Sequence, residues 1–270
     1  SFMRSPLAKR DLASPENTMT IKLLQLNIEH GKRIETIVDY IRSGSFDIVC
    51  LQEVTSGKFS PMGINTYEVL RNKTELDGQL APYVGFRGDV SSFFANATLW
   101  KRSYSLISSQ VIWLKRYEEM TSVQMDFRKS PRSALAILFA IGEKKLMVVN
   151  THLAWGPTPD DRVYQKNQAE KLYQWIKTHR QDPFVLTGDF NLNPHTFTVG
   201  RLSSLGNNLT KRFKITNTLN PRTHRVKALF PSGLPVDYII ADERLTIKKF
   251  FVEEKVDLSD HLGLIVEFSL

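Results

Sequence analysis

Cysteine is nearly absent: Cys50 is the one thiol in 270 residues, which excludes an intrachain disulfide. Its place inside an apolar strand marks it as packing rather than a nucleophile. A single thiol suits a reducing compartment, so a cytoplasmic protein is expected, with secretion of a disulfide-free chain left open. No stretch approaches the roughly 18 apolar residues that a membrane-spanning helix requires. Residues 1–20 carry Arg4, Lys9 and Arg10 but no apolar run of signal-peptide length, and read as a flexible extension. Internal repeats are also lacking.

What the chain has is core material and positive charge. With 41% hydrophobic residues it can bury a sizeable core, and residues 21–270 read as one layered, monomeric domain. Against 28 Asp and Glu stand 36 Lys and Arg, giving a net charge of +8 and an isoelectric point near 9.5. That balance suits nucleic acid or an acidic membrane surface, although a modest excess spread over the chain also serves solubility.

The most informative stretch is Phe184–Pro194, FVLTGDFNLNP. Phe184–Leu186 reads as a buried strand, and Asp189 and Asn191 fall just past its end. Two residues apart on extended backbone, their side chains share a face, so a carboxylate and a carboxamide can meet one water, metal or phosphate. An Asx-type turn closing the strand explains the pair equally well.

Other apolar strands end in the same way. Ile21–Leu26 runs into Asn27 and then Glu29-His30; Asp47–Leu51 into Gln52-Glu53; Leu146–Val149 into Asn150-Thr151-His152. Asp237 follows Val236 ahead of Tyr238-Ile239-Ile240, and Ser259-Asp260-His261 precedes the strand Leu262–Phe268. Further strands are expected at 84–86, 97–100, 107–114, 123–127, 134–141 and 246–252, with a hairpin at Gly142-Glu143. Ile34, Ile37, Val38 and Ile41 set an i, i+3, i+4, i+7 stripe over a helix at 33–43, and a second helix is expected at 160–178. Residues 195–235 show little regularity but several basic residues: Arg201, Lys211, Arg212, Lys214, Arg222, Arg225 and Lys227. Basic loops of this kind are natural places for substrate choice.

Taken in order, Leu26-Asn27, Leu51-Gln52-Glu53, Asn150-Thr151-His152, Gly188-Asp189-Phe190-Asn191, Val236-Asp237-Tyr238 and Ser259-Asp260-His261 resemble the motifs of the endonuclease/exonuclease/phosphatase superfamily, the deoxyribonuclease I-like fold. Thr216–Arg225 is also similar to a stretch in prokaryotic members of that superfamily. The resemblance implies a four-layered α/β sandwich, two mostly antiparallel sheets packed face to face with helices outside. It implies a divalent-metal-dependent phosphodiester hydrolase, most simply a nuclease or DNA-end-processing enzyme, with nucleic acid as partner and DNA in preference. A phosphatase or phospholipase acting on inositol phosphates or sphingomyelin, and a non-catalytic binding module, remain alternatives on the same fold.

The implied roles are specific. Asn27, Glu53 and Asp260 would hold Mg2+ or Mn2+, with Ca2+ open, since oxygen ligands suit a hard ion. Asp189 would orient or deprotonate the attacking water and Asn191 would hold the phosphate. His261 would pair with Asp237 and stay cationic, while His152 would protonate the leaving oxygen. Arg132 resembles a phosphate-contacting arginine, Trp155 stacks a base or packs the rim, and Asn96 touches substrate or caps a turn. Glu29 and His30 fall where some relatives contact substrate or a second metal, and Asp89 is a further candidate partner for an active-site histidine.

Overall fold

A computed structural model describes residues 19–270, apart from Met125, Phe127, Val226 and the side chain of Lys227. Most of the expected N-terminal extension, up to residue 18, lies outside these residues. Two sheets carry the architecture, with strands numbered here along the chain. One contains β1 (Thr20–Asn27), β2 (Ile48–Ser56), β3 (Asp77–Phe86), β4 (Asp89–Trp100), β6 (Glu118–Met120), β12 (Thr246–Glu253) and β13 (Gly263–Ser269). The other contains β5 (Ser105–Lys115), β7 (Arg132–Ile141), β8 (Lys144–His152), β9 (Phe184–Asp189), β10 (Asn207–Asn208) and β11 (Asp237–Ala241). Their spatial orders are β12-β13-β1-β2-β4-β3-β6 and β10-β11-β9-β8-β7-β5. Parallel pairing is confined to β1 with β2, β3 with β6, and β8 with β9, so both sheets are mostly antiparallel as expected.

Side-chain alternation along the strands divides the apolar residues between the layers. Leu23, Ile48 and Cys50 meet Ile137, Val148, Val185 and Ile239 between the two sheets. On the outer face of the larger sheet, Leu24, Leu26, Val49 and Leu51 pack against Ile34, Ile37, Val38 and Ile41 of helix α1 (Ile34–Gly44). Helix α2 (Thr66–Thr74) joins that layer through Leu70. Ala169, Leu172 and Ile176 of helix α3 (Val163–His179), with α4 (Phe197–Ser203), cover the smaller sheet. The result is the four-layered α/β sandwich that the motifs imply. Burial pushes the Cys50 thiol up to about 12, so it is packing and not a nucleophile.

Several elements depart from expectation. The pair β3 and β4 is far longer than 84–86 and 97–100, because Pro82 is accommodated at an irregularity between Pro82 and Val84 instead of ending the strand. Of the expected strand at 123–127, Val123 and Gln124 are outside any strand, and Met125 and Phe127 lie outside the described residues. The pairing there is made earlier, by β6 against β3. Within 195–235, α4 and the single turn α5 (Leu209–Arg212) give order to a stretch expected to have little.

Strand register then decides what meets. Asn27 pairs with Gln52 across β1 and β2, and His152 pairs with Asp189 across β8 and β9. Asp237, at the start of antiparallel β11, also faces Asp189. The ends of the two sheets therefore converge on one rim of the sandwich.

Candidate active site

At that rim lies a cavity of about 590 Å3, with Glu53, His152, Asp189, Asn191, Asp260 and His261 in its lining. Seven described non-glycine residues have positive φ, and four of them, Glu29, His30, Glu53 and Asn191, line this cavity. Backbone strain of that kind persists where surrounding structure holds it and tends to gather at functional sites. At Glu53 the cause is local: the β2–β4 register shifts between Leu51 and Val54, and the extra residue turns the carboxylate into the cavity.

Asp189 is the hub. Its Oδ2 accepts from Asn27 Nδ2 at 3.0 Å, its Oδ1 accepts from the Asn191 backbone N–H at 2.8 Å, and His261 Nε2 stands 3.7 Å away. Burial raises the Asp189 carboxyl towards neutrality, and the nearby Asp237 carboxylate adds to this against the opposing pull of His261. His261 donates from Nδ1 to Asp237 Oδ2 at 2.9 Å. Burial alone would lower that imidazolium, but Asp237 and Asp189 outweigh it, and its pKa is raised well above the ordinary histidine value. Asp237 is anchored in turn by Gln25 Nε2 at 3.0 Å.

His152 is different. Asn191 Nδ2 lies 3.0 Å from His152 Nε2 and donates to Leu153 O at 3.0 Å. Burial, with the Arg132 charge close by, pushes the His152 pKa down to about 3. It is therefore neutral at physiological pH, with one ring N–H left to donate, and its 3.5 Å approach to Asp189 is no ion pair. Arg132 is buried at the cavity wall with its guanidinium 5.5 Å from the Tyr83 ring.

Carboxylates gather on the other side. Burial raises the Asp260 carboxyl, and Glu53 and Glu29 raise it further, while His261 opposes them. Glu53 is instead held far below the usual range, because His30 Nε2 at 3.1 Å outweighs its burial. Ligand atoms of His224, Asp260 and His261 lie within 4.8 Å of one another, as do those of Asp189, Asp237 and His261. The carboxylate oxygens of Glu53 and Asp260 line the one cavity and suit a hard divalent cation.

The sequence profile of the Endonuclease/Exonuclease/phosphatase family matches residues 24–261. The chain belongs to this family. A curated relative, the probable CCR4-Not complex 3'-5'-exoribonuclease subunit Ccr4 of Vairimorpha ceranae, is 28% identical over 184 residues, 62% of this chain and 37% of the relative. The chain thus matches well under half the length of that relative. Among solved structures, the endonuclease/exonuclease/phosphatase from Bacteroides vulgatus superposes with a TM-score of 0.73 at 21% identity, covering 93% of this chain and 99% of the other. The D. rerio TDP2 complexed with single strand DNA product gives 0.68 at 16% identity, covering 93% and 99%. At these identities the structural likeness speaks for the fold.

Within the family fold, eight residues expected to gather do so: Asn27, Glu53, His152, Asp189, Asn191, Asp237, Asp260 and His261 are joined by the contacts above or share the cavity lining. Trp155, Glu29, His30 and Arg225 also line it. Asn96 does not; fully buried, it donates from Nδ2 to Ser133 O at 2.8 Å and ties β4 to β7. Asp89 sits at an exposed turn accepting from Ser91 and Ser92, so the carboxylate partner of His261 is Asp237 alone of the two. Asn27 turns its amide to Asp189 and its Oδ1 to the Glu29 N–H, and Glu53 belongs to neither compact ligand group. The basic loop is less available than its composition suggests, since Arg201 pairs with Glu170 and Arg222 with Asp257.

Two contributors, His224 and Gln25, escaped the sequence. His224 packs edge-on against His261, ring centroids 6.0 Å apart, with its pKa lowered to about 4 by burial and by that neighbour. Gln25 had one available signal, a polar side chain inside an apolar strand. Gln165 and Gln168, in the helix expected at 160–178, hold Ala154 by its O at 2.8 Å and its N–H at 2.9 Å, and so fix the loop that carries Trp155.

Proposed function

We propose that this family member is a divalent-metal-dependent phosphodiester hydrolase acting on nucleic acid, with DNA preferred. The observation that carries the reading is the buried Asp189, set between two amides and an Asp237-anchored imidazolium, facing the carboxylates Glu53 and Asp260 across one cavity. Asp189 accepts the proton of the attacking water, a task suited to a carboxyl whose pKa burial has raised. His261, held cationic, donates from Nε2 to a non-bridging phosphate oxygen. Arg132 adds positive charge at the cavity wall. Neutral His152 and Asn191 act as one hydrogen-bonding unit that positions the phosphate.

Glu53 and Asp260, with Asn27 after a turn of its amide, would hold a hard cation that neutralises charge on the phosphate and the leaving oxygen. Nucleic acid is supported by the net charge of +8 and by relatives named for RNA and single strand DNA. One feature favours a second reading: a cavity of about 590 Å3 is the size of a small-molecule site, which suits a phosphatase of small phosphate esters.

The purified protein, with Mg2+ or Mn2+ and again with EDTA, should be offered single-stranded oligonucleotides, plasmid, bis-p-nitrophenyl phosphate, inositol phosphates and sphingomyelin. Cleavage of the nucleic acids and of bis-p-nitrophenyl phosphate, abolished by EDTA, is expected. Turnover of inositol phosphates alone would replace this reading with the second, and binding without any turnover would replace both with a binding module.

A further inference from the structure

A second concavity, about 940 Å3, is lined from β3, β4, β5, the segment after β5 and helix α3. Its lining includes Pro82, Phe93, Trp113, Tyr117, Arg116 and Lys171, and no acidic side chain among the described residues. Trp113 and Tyr117 are 41% and 39% exposed, with ring centroids 6.4 Å apart and planes at 71°. Large aromatic rings left that open in a groove, with cations as the charged groups, match a ligand that is both flat and anionic. Gly85 makes room for this arrangement: a Cβ there would stand 2.0 Å from the Tyr117 hydroxyl.

The groove and the active cavity share no lining residue, but the strands and loops that line them adjoin. Trp113 pairs with Ser133, the residue after cavity-lining Arg132, which places the two Cα atoms about 5 Å apart. A smaller hollow of about 220 Å3 shares His30 and Pro61 with the active cavity and includes Lys58. The Lys58 backbone N–H donates at 2.8 Å to Ser92 Oγ, which lines the groove, and its ammonium lies 3.9 Å from the centre of the Phe86 ring. The small hollow therefore adjoins both the active cavity and the groove, and Lys58, Arg116 and Lys171 are among the residues that line the hollow and the groove. Lys171 donates to Leu114 O at 3.0 Å and has further N–H groups for a second acceptor.

We propose that this track holds the single-stranded portion of the substrate, with bases stacked on Trp113 and Tyr117 and phosphates on Arg116, Lys171 and Lys58. The assignment rests on the reading of the active cavity as a nucleic-acid phosphodiesterase. Unpaired bases offer faces to the two rings, whereas a duplex keeps its bases stacked inside. The occupant is thus a single strand.

Fluorescence anisotropy in EDTA, with a labelled oligothymidine of fifteen residues and a blunt duplex of the same length, tests the groove apart from hydrolysis. The variant Trp113→Ala/Tyr117→Ala should weaken single-strand binding by about tenfold or more. Arg116→Glu/Lys171→Glu should weaken it and flatten its dependence on salt. Both should turn over bis-p-nitrophenyl phosphate at the wild-type rate with Mg2+, because that ester fills the active cavity alone. Circular dichroism checks each variant, and either pair suffices if the other misfolds. Single-strand affinity within about twofold of wild type would overturn the proposal, as would an equal loss for the duplex. A wild-type protein that hydrolyses bis-p-nitrophenyl phosphate yet binds neither nucleic acid would instead sink the underlying reading.

Discussion

Asp189 and His261 carry opposite demands on pH, and both follow from what surrounds them. A base works ionised, so turnover should rise with pH through the raised pKa of Asp189. An imidazolium donor works protonated, so turnover should fall as pH rises through the raised pKa of His261. The profile is therefore bell-shaped, with the alkaline limb belonging to His261. Asp237→Asn removes the anion 2.9 Å from Nδ1 that helps raise this pKa, and should move the alkaline limb to lower pH. A limb that stays in place would remove His261 from that role. Asp189→Asn keeps the shape of the side chain but deletes the base, and should cost about 100- to 10,000-fold in Mg2+-dependent kcat with the fold intact. His152, already neutral, should contribute no titration to the profile.

At the scale of elements, the parallel seam of β8 and β9 sets the position of the base. Gly188 has a φ of +150° and lies so close to β8 that a Cβ would meet Thr151 O at 1.9 Å. Gly188→Ala must push the strands apart or flip the peptide just before Asp189. A loss of about 2 kcal/mol or more is expected from overpacking and backbone strain, measured by urea denaturation. Activity should fall by more than stability, because the carboxylate moves. An unaltered midpoint would show that the seam yields more easily than its spacing implies.

The elements that were legible in the sequence are those whose burial is continuous. In β9 all six residues are buried, and β1, β2 and β8 are largely so, which gave clean apolar runs with polar ends. Helix α2 buries only Thr66 and Leu70, too few for a visible stripe, and β4 begins with three partly or fully exposed residues before its apolar part. The site divides likewise. Asp189 stood out because the buried strand β9 ends on it, and Asn191 follows through an Asx-type turn closed by its own N–H on Asp189 Oδ1, whereas His224 comes from an irregular loop whose path no local pattern encodes. That Asp237 would also stand opposite Asp189 needed the register of β11 on β9, which is a long-range property.

Across the whole molecule, the chemistry is split between the sheets. Asn27 and Glu53 belong to the seven-stranded sheet, and Asp260-His261 immediately precedes its strand β13. Arg132, His152, Asp189 and Asp237 belong to the six-stranded sheet. Buried amides and carboxylates bridge the two: Gln25 to Asp237, Asn27 to Asp189, Gln52 to Asn150 at 2.7 Å, and Asn150 Nδ2 to Leu51 O and Ala97 O at 3.0 and 2.8 Å. The halves of the site are held in register by the same contacts that join the layers.

This division makes cation binding separable from turnover. Under the proposed mechanism the cation belongs to the seven-stranded side and the base to the other. A ligand that binds only the folded state stabilises it by about 2.7 kcal/mol at a hundredfold excess over its dissociation constant, so Mg2+ should raise the melting temperature and EDTA should reverse the rise. Asp189→Asn and His152→Ala should keep that rise while losing turnover. Glu53→Gln and Asp260→Asn should lose both. Without metal, Asp260→Asn should melt at or above the wild-type temperature, because it removes a buried carboxyl crowded by Glu53 and Glu29. Differential scanning calorimetry of the four variants with and without Mg2+ decides the matter. A Mg2+-dependent rise abolished by Asp189→Asn and preserved in Glu53→Gln would place the cation on the six-stranded sheet, among Asp189, Asp237 and His261.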